Sequence, residues 1–160
     1  MGSGKTSVGR ALGMRLGIAF FDTDSWVEEQ EGRSVPEIFA ESGESHFRKR
    51  EAEALEQACQ LDQAIVATGG GLFLAAEHRA RIRERGMSIW LDTSLEDIWE
   101  RCAESGGRPL WGTREELAKL LEIRRECYAA ADWRVDTGKR GVAEIVEEAE
   151  RLIAPGDGRA

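Results

Sequence analysis

The sequence predicts an α/β fold, a three-layer α/β/α sandwich with a parallel sheet. Three observations point there. Short apolar runs that read as strands alternate with amphipathic stretches, the pattern of a parallel sheet covered on both faces. Capping signals stand at the starts of several of those stretches. No linker, repeat or low-complexity block divides the 160 residues, enough for one sizeable core and hardly for two.

The elements follow in order. Thr6–Leu16 carries Val8, Leu12 and Leu16 four residues apart on one helical face. Ile18–Phe21 reads as the first strand. Val35–Ser42 is a helix behind Ser34, with Glu37 completing a capping box, and Glu44–Leu61 is a second helix beyond Gly43. Ala64–Ala67 is a strand, Ala75–Arg85 a helix, Met87–Leu91 a strand, and Leu95–Ala103 a helix behind an Ser94 N-cap. Thr113 and Glu116 form another capping box, opening a helix through Tyr128. Trp133–Val135 is the last strand. In the closing helix, Val142–Ile153, Ile145, Val146, Ala149 and Leu152 share one side. The expected organisation is a single domain over 1–154, with a lid around 105–118 and a disordered tail over 155–160.

Acidic residues outnumber basic ones, 30 to 22, for a formal net charge of −8. Binding to nucleic acid or to an anionic membrane needs a basic face, so neither is expected as a partner. The longest apolar runs fall far short of the ~20 residues that span a bilayer. No apolar stretch of a secretory signal follows Lys5. Cys59, Cys102 and Cys127 are scattered without metal-ligand spacing, which points to a reduced, cytoplasmic setting and to buried or inert thiols. His46 and His78 read as surface residues.

Gly2-Ser3-Gly4-Lys5-Thr6, continued by Ser7 into a helix, is the second half of a phosphate-binding P-loop. The glycines let successive amides turn toward one anion, and the helix N-terminus adds its positive dipole end. Lys5 would reach the β- and γ-phosphates of ATP, and the Thr6 hydroxyl would ligate Mg²⁺. The same residues fit a loose lipidation pattern at Gly2, a weaker reading because an amphipathic helix begins directly after Thr6. The full pattern also needs a glycine three residues before Gly2, and a hydrophobic strand before that. Either the protein begins upstream of Met1 or the chain is a true truncation, and residues 1–160 alone are expected to fold poorly and bind ATP weakly. The sheet would then be split, with the strands at Ile18 and Met87 lacking a neighbour between them.

Asp22-Thr23-Asp24 places two carboxylates past a strand's C-terminal end, where open α/β sheets gather ligands. One can serve a metal and the other a substrate hydroxyl, although either could merely cap the next helix. Thr68-Gly69-Gly70-Gly71 follows another strand, and three glycines suggest close approach of main chain to a ligand. Phe47-Arg48-Lys49-Arg50-Glu51 is a basic cluster in an acidic chain, either a solvated face or a local anion site. Arg108-Pro109-Leu110 follows Ser105-Gly106-Gly107 as a mobile, arginine-bearing lid would, and Arg124 precedes Tyr128 by one helical turn.

In order and spacing these strings resemble shikimate kinase, a P-loop family akin to the nucleoside monophosphate kinases, over Met1 to about Ile153. The resemblance implies transfer of the ATP γ-phosphate to the 3-hydroxyl of shikimate, with Mg²⁺, by a cytoplasmic monomer of the aromatic amino acid pathway. It implies that Gly2, Ser3, Gly4, Lys5, Thr6 and Ser7 hold phosphates, that Arg101 stacks on adenine, and that Arg108 closes over the γ-phosphate. Thr6 and Asp22 would hold the metal, and Asp24 would orient or deprotonate the attacking hydroxyl. Arg48 and Arg124 would clamp the substrate carboxylate, and Gly69, Gly70 and Gly71 would line its pocket. Lys5, Asp24 and Arg108 are the expected catalytic residues. Trp111 and Glu126-Cys127 depart from the family pattern, and the stretch from Arg108 to Arg124 is short for it. A kinase of another small polyol, such as gluconate, and an inactive remnant are the alternative readings.

Overall fold

The computed structural model describes residues 2–104 and 112–154. Within them the order is α1 (Lys5–Leu16), β1 (Ala19–Asp22), α2 (Thr23–Glu31), α3 (Val35–Ala58), β2 (Ala64–Ala67), a 3₁₀ turn (Leu72–Leu74), α4 (Ala76–Arg85), β3 (Ile89–Asp92), α5 (Leu95–Glu104), α6 (Arg114–Tyr128), β4 (Trp133–Asp136) and α7 (Val142–Ile153). The expected alternation of strands and helices is present. Arg108, Pro109, Leu110, Trp111 and the tail over 155–160 lie outside the described residues.

All pairing among the described strands is parallel. β1 pairs with β2, Ala19 opposite Ala64 and Asp22 opposite Ala67, while β3 pairs with β4, Ile89 opposite Trp133 and Asp92 opposite Asp136. The four strands thus make two separate pairs, β1-β2 and β3-β4. A cavity of about 1370 Å³ is lined by β2 from Ala64 to Ala67, by β3 from Ile89 to Asp92, and by Val8, Leu12 and Leu16 of α1. β2, rather than the strand at Ile18, therefore faces β3 across the gap. The α2–α3 crossover carries the chain back so that β1 lies on the outer side of β2, which corrects the expected neighbours.

The core explains the helices. Val8 and Leu12 of α1 pack with Ile145, Val146 and Ala149 of α7 and with Val135 of β4. Val27, Ile38, Phe47 and Ala54 join α2 to α3, and Leu55 and Cys59 meet Leu72 beyond β2. The predicted caps hold: the Glu116 amide donates to Thr113 Oγ1 at 3.2 Å, the Asp97 amide to Ser94 Oγ at 3.0 Å, and the Ser34 amide to Glu37 Oε2 at 2.8 Å. The break expected at Gly43 is a kink inside α3, where φ is 81° and ψ 169°.

Other boundaries shift. β3 starts at Ile89 rather than Met87, because Ser88 is taken up by Asp132, whose Oδ2 accepts from the Ser88 amide at 2.8 Å. His46 and His78 are half-buried, the His46 side chain still 38% exposed. His46 Nε2 lies 3.0 Å from Glu31 Oε1, and His78 Nδ1 lies 3.0 Å from the Leu72 carbonyl. Cys59 is buried, and that burial pushes its thiol pKa up, as expected of an inert cysteine.

Candidate active site

The phosphate loop opens α1 without a side-chain cap. Gly4, the N-cap, is left-handed at φ 82°, a conformation that costs glycine little. The bond from the Val8 amide to the Gly4 carbonyl, at 2.9 Å, opens the helical ladder, and among the described bonds the amides of Thr6 and Ser7 before it find no carbonyl one turn back. Open amides at a helix N-terminus attract an anion. Lys5 Nζ sits 3.3 Å from Ser3 Oγ, above the same turn. Arg101 of α5 closes the other side, its guanidinium donating to the Gly2 carbonyl at 3.2 Å and to the Thr137 carbonyl at 3.4 Å.

Asp22 joins this loop to the acceptor side. Its Oδ2 accepts from the Thr6 hydroxyl at 2.8 Å, and its Oδ1 accepts from the amides of Asp24 at 3.0 Å and Ser25 at 3.3 Å. Asp22 is therefore both a helix cap and a neighbour of the phosphate loop. No group of three or more His, Cys, Asp or Glu able to hold a metal occurs among the described residues. Magnesium does not require one, since it keeps several waters and is commonly held by one or two carboxylates plus substrate phosphates. A hydroxyl and a carboxylate oxygen 2.8 Å apart beside the anion site fit such an ion.

The three glycines after β2 form the hub of the acceptor side. The Gly69 amide donates to the fully buried Thr23 hydroxyl at 2.8 Å. A Cβ on Gly69 would stand 2.5 Å from Asp24 Oδ1 and closer still to Glu51 Oε1, and a Cβ on Gly71 would overlap the Arg48 guanidinium. A side chain at Gly69 would meet two held carboxylates, and one at Gly71 would displace the Arg48 guanidinium. The Gly70 carbonyl accepts from the Tyr128 hydroxyl at 2.5 Å, and the Arg124 guanidinium lies against that hydroxyl. Asp24, Arg48, Arg124 and the glycines are thus gathered at one place. Arg48 is oriented by Glu51 Oε2 at 2.7 Å and Glu44 Oε1 at 3.0 Å. Arg50 instead turns to Glu31 at 2.9 Å and stacks over Trp26, so the basic cluster is divided between site and scaffold. Arg125, next to Arg124, is exposed and pairs with Asp92 at 2.9 Å.

Two carboxylate oxygens over Gly69, Asp24 Oδ1 and Glu51 Oε1, are buried without a hydrogen-bond partner among the described residues, as is Arg124 Nε. Buried polar atoms are ordinarily satisfied, so two acceptors and one donor here call for a ligand carrying hydroxyls and an anionic group. Burial, with the Glu51 and Asp22 carboxylates alongside, pushes the Asp24 pKa up to about 6, and Lys5 pulls it back only in part. Thr23, Glu51 and Tyr128 enter the site although sequence reasoning gave them no role. Glu51 carried a signal, the carboxylate three residues after Arg48. Tyr128 carried a weaker one, its position one turn after Arg124.

An open phosphate loop facing a pocket of hydroxyl acceptors, on a parallel α/β scaffold, defines a P-loop kinase of small molecules. The family model of shikimate kinase matches residues 1–154. Shikimate kinase of Persephonella marina is 42% identical over 149 residues, covering 92% of this chain and 91% of that one. That of Symbiobacterium thermophilum is 44% identical over 154 residues, covering 92% and 88%. Among solved structures, shikimate kinase from Acinetobacter baumannii in complex with shikimate superposes with a TM-score of 0.89 at 32% identity, covering 99% and 91% of the two chains. The Aquifex aeolicus enzyme gives 0.82 at 36%, covering 95% and 90%. The chain belongs to the shikimate kinase family, a family of ATP-dependent kinases. The family match stands against the gluconate-type alternative. No helix among the described residues is long and apolar enough to cross a membrane.

Proposed function

We propose that this chain transfers the γ-phosphate of ATP to the 3-hydroxyl of shikimate, as a cytoplasmic monomer acting with Mg²⁺. The observation that carries the reading is the pair of unpartnered carboxylate oxygens, Asp24 Oδ1 and Glu51 Oε1, beside Arg48 and Arg124 on one glycine loop. Ring hydroxyls suit the first pair, and a carboxylate suits the two guanidiniums.

Phosphoryl transfer asks mainly for positioning and for charge stabilisation. The amides of Lys5–Ser7 cradle phosphate oxygens, and Lys5 Nζ neutralises charge on the transferred group. Bound Mg²⁺ supplies further neutralisation across the phosphates, and the Thr6 hydroxyl with Asp22 would hold it. Arg101 borders the nucleotide side. Asp24 accepts the hydrogen bond of the attacking hydroxyl and aims it at the phosphate loop. Its carboxylate, poised near pH 6, is basic enough to take that proton as the new O–P bond forms. Arg48 and Arg124 hold the acid at the far end of the ring. The resemblance alone assigns Arg108 to the γ-phosphate.

A coupled ADP-release assay with shikimate, quinate and gluconate tests the reading. Release dependent on shikimate and Mg²⁺ is expected, and release with gluconate alone would overturn it.

A further inference from the structure

Tyr128 has no part in the chemistry above, yet its hydroxyl lies at the centre of the acceptor pocket. It is the last residue of α6, and its ring is wedged between Trp90 and Phe73, at centroid distances of 6.1 and 6.5 Å. From there the hydroxyl reaches the Gly70 carbonyl at 2.5 Å, the short end of the O–H···O range. A phenol carries one proton and two lone pairs. With the proton committed to Gly70, the lone pairs face the Arg124 guanidinium one turn back on α6.

The partner of this bond explains its importance. Gly70 sits between Gly69, which packs under Asp24 and Glu51 and is held by Thr23, and Gly71, which packs under Arg48. α6 thus reaches the middle glycine of the acceptor loop through the Tyr128 hydroxyl. Arg124 Nε is buried without a partner, so nothing else among the described hydrogen bonds fixes how that end of the guanidinium is turned. Recognition of a carboxylate by a guanidinium depends on the plane of the fork, and a misalignment beyond roughly 10–20° forfeits it.

We propose that Tyr128 is a positioning residue: its hydroxyl, donated to the Gly70 carbonyl, holds the Arg124 guanidinium in register with Arg48 and so sets the affinity for the acceptor's carboxylate. The inference rests on the shikimate reading of the pocket. Tyr128 itself touches no reacting atom.

Tyr128→Phe keeps the ring and removes only the hydroxyl. The expected result is a rise of about 10- to 100-fold in the KM for shikimate, the effect of one hydrogen bond to a charged group. The kcat and the KM for ATP should stay within about twofold, and the Tm within a few degrees. In an Arg124→Ala background the same substitution should add less than about twofold, because its effect runs through Arg124. An unchanged KM for shikimate, an equal loss toward ATP, or full additivity with Arg124→Ala would overturn the proposal. A substrate-free readout separates it from the reading of the pocket. The Arg124 Nε–H resonance should exchange slowly in the unliganded wild type and broaden or vanish in Tyr128→Phe. If it does so in a protein that does not phosphorylate shikimate, the positioning stands and the choice of substrate fails. If the resonance is the same in both proteins, the positioning role is overturned whatever the substrate.

Discussion

The Thr6 hydroxyl donates a 2.8 Å hydrogen bond to Asp22 Oδ2, tying the first turn of the phosphate-loop helix to the end of β1. The other oxygen of Asp22 caps α2 through the amides of Asp24 and Ser25. One carboxylate therefore spans the proposed metal position, the start of α2 and the approach to Asp24. Its two duties can be separated. Asp22→Asn keeps an oxygen for the cap and loses the charge, so the Mg²⁺ concentration for half-maximal rate should rise about tenfold or more with little change in Tm. Asp22→Ala should show the same metal effect and also lose the cap, about 1 kcal/mol of stability. Titrating Mg²⁺ against rate, with thermal unfolding alongside, checks both. Equal Mg²⁺ dependence in Asp22→Asn and wild type would remove the metal role.

Asp24 gives a prediction in pH. Its pKa is about 6 in the folded chain against an ordinary 3.8, raised mainly by burial and then by Glu51 and Asp22. Between those values the folded state holds a proton that the unfolded chain has released. Its contribution to stability is thus fully present below about pH 4 and is lost as pH rises toward 6. Above pH 6 the ionised group weakens the fold. Without metal or nucleotide, Asp24→Asn should therefore melt above wild type at pH 8, with the gap closing near pH 4.5. Its kcat should fall by about 10² or more for want of the hydroxyl's acceptor. In wild type, kcat/KM for shikimate should drop about tenfold per pH unit below 6. A Tm difference independent of pH would contradict the account.

Gly69 is the tightest point of the acceptor loop. A methyl group there meets Asp24 Oδ1 at 2.5 Å and Glu51 Oε1 closer still. Neither carboxylate is free to retreat, since Glu51 is 1% exposed and bonded to Arg48, and Asp24 lies against Asp22. Gly69→Ala should cost about 1–3 kcal/mol of stability and at least about 10² in kcat/KM for shikimate. Gly86 offers the comparison: its backbone is extended and a Cβ there meets nothing within 4 Å. Gly86→Ala should stay within about 0.5 kcal/mol and keep full activity. Steady-state kinetics and thermal melts of the two variants decide the matter.

These cases also indicate which features sequence could reveal. Lys5, Thr6, Asp22, Asp24, Arg48 and Gly69–Gly71 lie in short strings whose residue types have few alternative uses, so each could be named before any fold was known. Thr23 could not. Its hydroxyl meets the Gly69 amide because β1 and β2 pair with Asp22 opposite Ala67, a register no local pattern encodes. α2 was equally hidden, with only Thr23 and Val27 buried in its nine residues and no apolar stripe to read. The strand order was hidden for the same reason, since the crossover that sets β1 outside β2 is a tertiary choice.

The gap between β2 and β3 yields the last prediction. Among the described residues each of these strands is paired on one side only, each runs parallel to its own partner, and both line a single cavity of about 1370 Å³ together with α1. Two-stranded sheets are marginal on their own. A strand of the kind the phosphate-loop pattern places before its first glycine would pair with both edges at once and lead into the loop at Gly2. It would bury about four apolar side chains on both faces, worth roughly 6–12 kcal/mol at about 1.5–3 each. That rivals the whole stability of a typical domain, about 5–15 kcal/mol. The added glycine would also complete the amide cradle, so Lys5 would be held against phosphate by a loop anchored at both ends. A chain extended upstream of Met1 by five apolar residues and Gly-x should therefore melt well above residues 1–160 and bind ATP at least about tenfold more tightly. Thermal unfolding and ATP titration of the two chains, run side by side, measure both effects. Equal melting temperatures and equal ATP affinity would mean that the two half-sheets are sufficient as they stand and that the cavity is no place for a strand.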